Sequence, residues 1–165
     1  YFHPGKKLLR FLPIKALSFL KPLNMRVLTI GPRDESELFA LVALGFQLKN
    51  ITGLDIQKYS NLITLGDAID LPFEDNSFDL VIIGKMIVYS DKPDKVINET
   101  IRVLKNGGIV SMFHSHIRDH YYTDFKFNTS KYFLDFFGKK LDDILSYPAI
   151  LSTNVSNSDT PCASS

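Results

Sequence analysis

Between residues 25 and 113 one pattern repeats: a short apolar run, a turn residue, then an amphipathic stretch. The strongest run is Phe78-Asp79-Leu80-Val81-Ile82-Ile83. Runs of that length bounded by turn residues read as buried strands. Residues 25–30 form a similar run closing on Gly31-Pro32, 51–55 ends on Asp55, 61–65 leads into Gly66-Asp67, and 109–113 follows the turn Lys105-Asn106-Gly107-Gly108. The stretches between read as helices. Asp34 suits an N-cap with Glu37 three residues on, as in a capping box. Leu38, Leu41, Val42 and Leu44 make an apolar stripe, and Gly45 suits its end. Asp91 and Pro93 open a second helix with Val96, Ile97, Ile101 and Leu104 on one face. Strands alternating with helices imply right-handed βαβ units. The fold class that follows is α/β, Rossmann-like and doubly wound, with a mainly parallel sheet and helices on both faces. Ligands in such sheets bind beyond the carboxyl ends of the strands, where strand order switches. Gly31, Asp55, Asp67 and Gly84, each at or just past a strand end, are therefore expected to line one crevice.

The flanks are less regular. Residues 1–24 form a basic amphipathic segment with Lys6, Lys7, Arg10, Lys15 and Lys21 and no acid. Its spacing suits a helix packed on the domain with a solvated basic face, or a surface for lipid or an anionic substrate. The main domain is expected over 25–155. Within it Tyr132, Phe133, Phe136, Phe137, Leu141, Ile144 and Leu145 share a helical face, a candidate homo-oligomer contact, and 149–155 is a candidate extra strand. The polar tail 156–165 reads as flexible. The 165 residues suit one domain, and a net charge of +1 gives no reason to expect nucleic acid as a partner. One cysteine, Cys162, makes neither an internal disulfide nor a cysteine-based metal site, and no metal is expected. No apolar run reaches the roughly 18 residues of a transmembrane span, and the interrupted N-terminus is unlike a signal peptide, so a cytoplasmic location is expected. The chain opens on Tyr1 and not on Met, as a fragment would.

The stretch from Gly66-Asp67-Ala68 through Leu71-Pro72-Phe73 and Ser77-Phe78-Asp79, with Arg102-Val103-Leu104-Lys105-Asn106-Gly107-Gly108 after it, resembles class I S-adenosylmethionine-dependent methyltransferases. Several short matches in one register are more specific than any single one. The resemblance implies S-adenosylmethionine as cofactor and a strand order of 3-2-1-4-5; an active enzyme with a small-molecule or sugar-like methyl acceptor is the first functional expectation, the acceptor itself being set by variable loops. The resemblance also implies that Asp55 meets the ribose hydroxyls, that Ile56 packs on the adenine face, and that Asp67 and the backbone of Ala68 meet the adenine edge. Gly31, Arg33, Gly84 and Lys85 complete the expected cofactor-binding set. Considered singly, an acid at a strand end is more often a turn or cap residue; the two acids in register with the family favour the adenosine reading.

The first glycine loop departs from the family pattern of an acid followed by Gly-x-Gly-x-Gly. Thr29 stands at the acid position, Gly31 keeps the first glycine, and Arg33 and Glu35 replace the others. Arg33 either crowds the methionine end of the cofactor or pairs with its carboxylate. No catalytic residue is assigned. His114 and His116 past the fifth strand, and Lys85 and Tyr89 past the fourth, are candidates to reach the crevice, although a lone histidine is more often structural. The alternative to an active enzyme is a non-catalytic binding or scaffold protein of the same fold. A nicotinamide dehydrogenase shares the topology but lacks Gly-x-Gly-x-x-Gly here.

Overall fold

The computed structural model describes residues 22–112. The basic segment up to residue 21, the histidines at 114 and 116, the aromatic stretch expected to be helical, the candidate strand 149–155 and the polar tail lie outside the described residues. The sheet has five strands, all parallel, in the order β3-β2-β1-β4-β5: β1 Val27–Ile30, β2 Ile51–Asp55, β3 Ile63–Leu65, β4 Phe78–Ile83 and β5 Leu104–Met112. This is the order expected. The central strand β1 is buried throughout and β4 nearly so, which is why both read as continuous apolar runs. Two apolar clusters cover the sheet. One joins Leu28, Ile30, Leu54, Val81 and Ile83 to Val96, Ile97 and Val103; the other joins Val27, Leu80 and Ile82 to Leu38, Leu41 and Leu44. Each of these buried aliphatic side chains contributes on the order of 1.5–3 kcal/mol.

Helix α1, Ser36–Ala43, buries Leu38 and Leu41. Val42, expected on the same stripe, points outward. The helix ends in a Schellman motif: Phe46 N–H donates to Leu41 O and Gly45 N–H to Val42 O, with Gly45 at φ 101°. At its start Asp34 Oδ1 accepts the N–H of Ser36 at 2.9 Å and also the Ser36 hydroxyl. Helix α2, Pro93–Val103, has Pro93 in its first turn and buries Val96, Ile97, Thr100 and Val103.

Strand β5 differs from expectation. It begins directly after α2, at Leu104 and not at Ile109. Phe78 pairs with Leu104, and Leu80 pairs with Ile109, so residues 105–108 form a bulge inside the strand. The glycines there do mark a sharp change of direction, with Gly107 at φ 74°, but the chain returns to the same ladder. Lys105 at the bulge donates to both oxygens of Asp79, at 2.9 and 3.0 Å, and Arg26 N–H donates to Asp79 Oδ2 at 2.8 Å. Burial would raise the Asp79 carboxyl, but these two partners outweigh it and its pKa lies below the usual value. Arg26 also lies over the Phe78 ring, 5.3 Å from its centre.

Candidate functional site

The strand ladder continues one residue past several strand ends. Gly84 N–H donates to Ile30 O, Gly31 N–H to Leu54 O, and Gly66 N–H to Asp55 O. These bonds align Gly84, Gly31, Asp55 and Gly66, with Asp67 next in the chain, along the carboxyl edge of the sheet. Strand order switches between β1 and β4, so the crevice expected of this topology falls at the edge that Gly31 and Gly84 share. The two glycines are close: a Cβ on Gly84 would come within 3.1 Å of Gly31 O.

The Gly31-Pro32-Arg33 loop is tightly determined. Gly31 has φ 67° and Arg33 φ 63°. Asp34 N–H donates to Pro32 O at 2.7 Å, closing a γ-turn about Arg33 of the uncommon positive-φ kind. Such a conformation costs about 1–3 kcal/mol in a non-glycine residue and persists only where surrounding contacts enforce it. Two contacts do so here. Pro32 is buried, and Arg33 N–H donates to Asp55 Oδ2 at 3.2 Å. The Arg33 residue itself is exposed.

Asp55 therefore ties the loop to β2. Its other oxygen, Oδ1, accepts Gln57 N–H at 3.1 Å. A carboxylate offers about four lone-pair sites, so two backbone donors leave capacity for a ligand's hydroxyls. Ile56 beside it is 68% exposed, an apolar face open to a flat ring. Asp67 is exposed, and its Oδ1 accepts Ile69 N–H at 3.1 Å. Ala68 is buried in the first apolar cluster, so its side chain serves the core. Lys85 opens a short 3-10 turn, Lys85–Tyr89, which holds exposed Tyr89 and fully buried Ile87.

Three features of the site went unseen in the sequence. The first is Glu37. It is 3% exposed, and Thr29 Oγ1 donates to its Oε2 at 3.1 Å. Thus where the family pattern has an acid on the first strand, this chain has a hydroxyl that meets an acid from the helix. The available signal was that Glu37 shares the α1 stripe with Leu41 and Leu44, while Thr29 interrupts an apolar strand. The second is the clamp on the loop carrying Leu71-Pro72-Phe73. Arg102 donates to both carboxylate oxygens of Glu99, to Leu71 O, to Phe73 O and to Asp75 Oδ1, and Glu99 Oε2 accepts Leu71 N–H. The Arg102 guanidinium holds the Glu99 carboxyl below its usual value, against an opposing effect of burial. The matching Leu-Pro-Phe and Arg-Val-Leu-Lys stretches are thus two halves of one contact. The third is Met86. A Cβ on Gly31 would fall 2.6 Å from Met86 Cβ and closer still to its Cγ. The room gained by the absence of a side chain at Gly31 is taken by Met86. Among the described residues no group of three or more His, Cys, Asp or Glu is placed to hold a metal. No helix among them is long and apolar enough to cross a membrane.

The fold and this edge define the class I methyltransferase architecture. A methyltransferase-domain family model matches residues 28–112, more than half of the chain, and the chain belongs to that family of S-adenosylmethionine-dependent methyltransferases. It is 42% identical over 64 residues to a demethylmenaquinone methyltransferase from Lactobacillus johnsonii, a match covering 39% of this chain and 26% of that enzyme. A solved protein from Pyrococcus horikoshii OT3 superposes with a TM-score of 0.58 at 27% identity, over 69% of this chain and 59% of that one. A candidate S-adenosyl-L-methionine-dependent methyltransferase from Methanococcus maripaludis has the same fold, with a TM-score of 0.58 at 20% identity over 68% and 56% of the two chains. The matched stretches span 17% to 33% of the curated relatives' lengths.

Proposed function

We propose that this chain binds S-adenosylmethionine at the carboxyl edge of β1, β2 and β4 and transfers its methyl group to a small-molecule or sugar-like acceptor. The observation that carries the reading is Asp55. Its carboxylate stands at the end of β2, 3.2 Å from the loop N–H of Arg33 and beside the exposed face of Ile56. That grouping suits a ribose with an attached flat ring: a carboxylate for paired hydroxyls and an apolar surface for the ring. Asp67 and the Ala68 backbone are the groups on this edge for an amino-bearing ring rim. Exposed Arg33 is the cation for a ligand carboxylate, which a guanidinium suits geometrically.

When bound, the cofactor supplies an electrophilic methyl group on sulfur. The protein's part is to hold donor and acceptor in line and away from water, which can account for much of the acceleration in such displacements. Among the described residues, Lys85 and Tyr89 begin and end the turn beyond β4. A second reading, a non-catalytic binding protein of the same fold, is favoured by Arg33 and Glu35 in the glycine loop and by Met86 over Gly31.

Calorimetry with S-adenosylmethionine, S-adenosylhomocysteine, adenosine and NAD tests the reading. The expected result is binding of the three adenosyl ligands and not of NAD. Asp55→Ala should weaken adenosyl binding by about 1.5–3 kcal/mol, the range for hydrogen bonds to a charged group. Equal affinity in the variant would reduce Asp55 to a tie for the loop. Binding of adenosine without the full cofactor at millimolar concentration would favour the non-catalytic reading.

A further inference from the structure

Gly31 and Gly84 meet at the switch between β1 and β4 with neither carrying a side chain, so the floor of the crevice there is backbone. The first side chain above that floor is Met86. It follows Gly84 by two residues, is partly buried against the edge of the first apolar cluster, and fills the space over Gly31. Its neighbour Ile87 is fully buried in the same cluster, so the turn's backbone is pinned while the partly buried Met86 side chain lies against Gly31. An unbranched thioether with three rotatable bonds is well suited to adapt its shape at such a place.

We propose that Met86 is a specificity-determining residue, a side-chain gate between the adenosine part of the crevice and the space over Gly31. The inference rests on the adenosyl reading above and deepens it. A nucleoside confined to Asp55, Ile56 and Asp67 leaves Met86 in place. A ligand that continues from the ribose into an amino-acid chain towards Arg33 must cross Gly31, and Met86 has to swing aside for it. Discrimination between adenosine and the full cofactor is then set by the ease of that rotation, beyond whatever Arg33 contributes.

The test compares parent, Met86→Ala and Met86→Leu by calorimetry with S-adenosylmethionine and with adenosine. Alongside it, the Met86 methyl carbon is followed by nuclear magnetic resonance in methyl-labelled protein, its signal assigned by its loss in Met86→Leu. The expected result is that Met86→Ala binds S-adenosylmethionine about five-fold or more tightly than the parent with adenosine affinity unchanged. Met86→Leu, of similar volume but branched and stiffer, should bind the full cofactor more weakly. The Met86 methyl signal should shift with S-adenosylmethionine and stay in place with adenosine. Should Met86→Ala fail to fold, Met86→Leu and the methyl signal decide. If adenosine and the full cofactor bind but these variants alter neither affinity and the methyl signal is unmoved, the gate is overturned while the adenosyl reading stands. If no adenosyl ligand binds any of the three proteins, both are overturned.

Discussion

Thr29 and Glu37 lie eight residues apart, one on the central strand and one on the first helical turn, and between them runs the whole Gly31-Pro32-Arg33 loop. A buried carboxylate needs donors, because removing one leaves its desolvation uncompensated. Thr29→Val keeps the shape of the side chain and removes the hydroxyl, so it should destabilise the protein by about 1.5–3 kcal/mol in urea unfolding. Thr100 presents the opposite case. Its Oγ1 is buried without a hydrogen-bond partner among the described residues. Thr100→Val should therefore be neutral or stabilising by up to about 1 kcal/mol, measured as a raised urea midpoint. The placement of residues along the sheet edge was legible where position along the chain was enough. Asp55 and Asp67 follow from strand ends alone. Glu37 did not, since a spacing of three from Asp34 suggests a cap and says nothing of what faces the helix across the sheet. Met86 left no trace, because no local pattern tells which side chain fills the space over a glycine.

At the scale of elements, α2 does more than cover the sheet. Through Arg102 and Glu99 it fixes the connection leaving β3, including the carbonyls of Leu71 and Phe73. A lysine at 102 keeps the charge but lacks the planar fork that serves several acceptors at once. Arg102→Lys should cost about 1–3 kcal/mol. Its local signature should be faster hydrogen exchange at Leu71 N–H, which Glu99 then holds less firmly. Exchange at the β4 amides should change only with global stability. The elements themselves were largely readable: 51–55 and 78–83 coincide with β2 and β4, since both are apolar runs closed by turn chemistry. The start of β5 was not. Asn106, Gly107 and Gly108 state correctly that the backbone bends, but only the pairing of Leu104 with Phe78 reveals that the strand has already begun.

For the folded domain as a whole, two carboxylates among the described residues tie stability to acid. Asp79 and Glu99 both have pKa values below the ordinary 3.8 and 4.5. A carboxyl depressed in the folded state binds its proton more readily when unfolded. Its stabilisation is therefore complete above the unfolded value and is lost as pH falls through the folded one. The urea midpoint should thus stay level, as far as these groups are concerned, down to about pH 5 and then decline. Asp79→Asn should lower the plateau and flatten part of the decline, and an unchanged slope in that variant would remove Asp79 from the account. The sheet order was legible from two sources together: alternating strands and helices imply a parallel doubly wound sheet, and the resemblance to methyltransferases selects the order within it. The acid pairing was not, since it joins residues 26, 79 and 105, which only the folded sheet brings together.

The junction of α2 and β5 has a consequence for how this chain tolerates changes in length. Helix gives way to strand between Val103 and Leu104 with no residue to spare. One residue inserted there would either turn the helix by about 100° relative to the sheet, carrying Glu99 and Arg102 away from their loop, or exchange the two faces of the strand. The slack sits a few residues further on. A side chain added at Gly107 would meet nothing within 4 Å, and the ladder already steps around residues 105–108. A short flexible insert at Gly107 should accordingly be accepted with the sheet intact, whereas a single alanine between Val103 and Leu104 should not; comparing the two by circular dichroism and thermal unfolding would locate the point at which this architecture accepts new sequence.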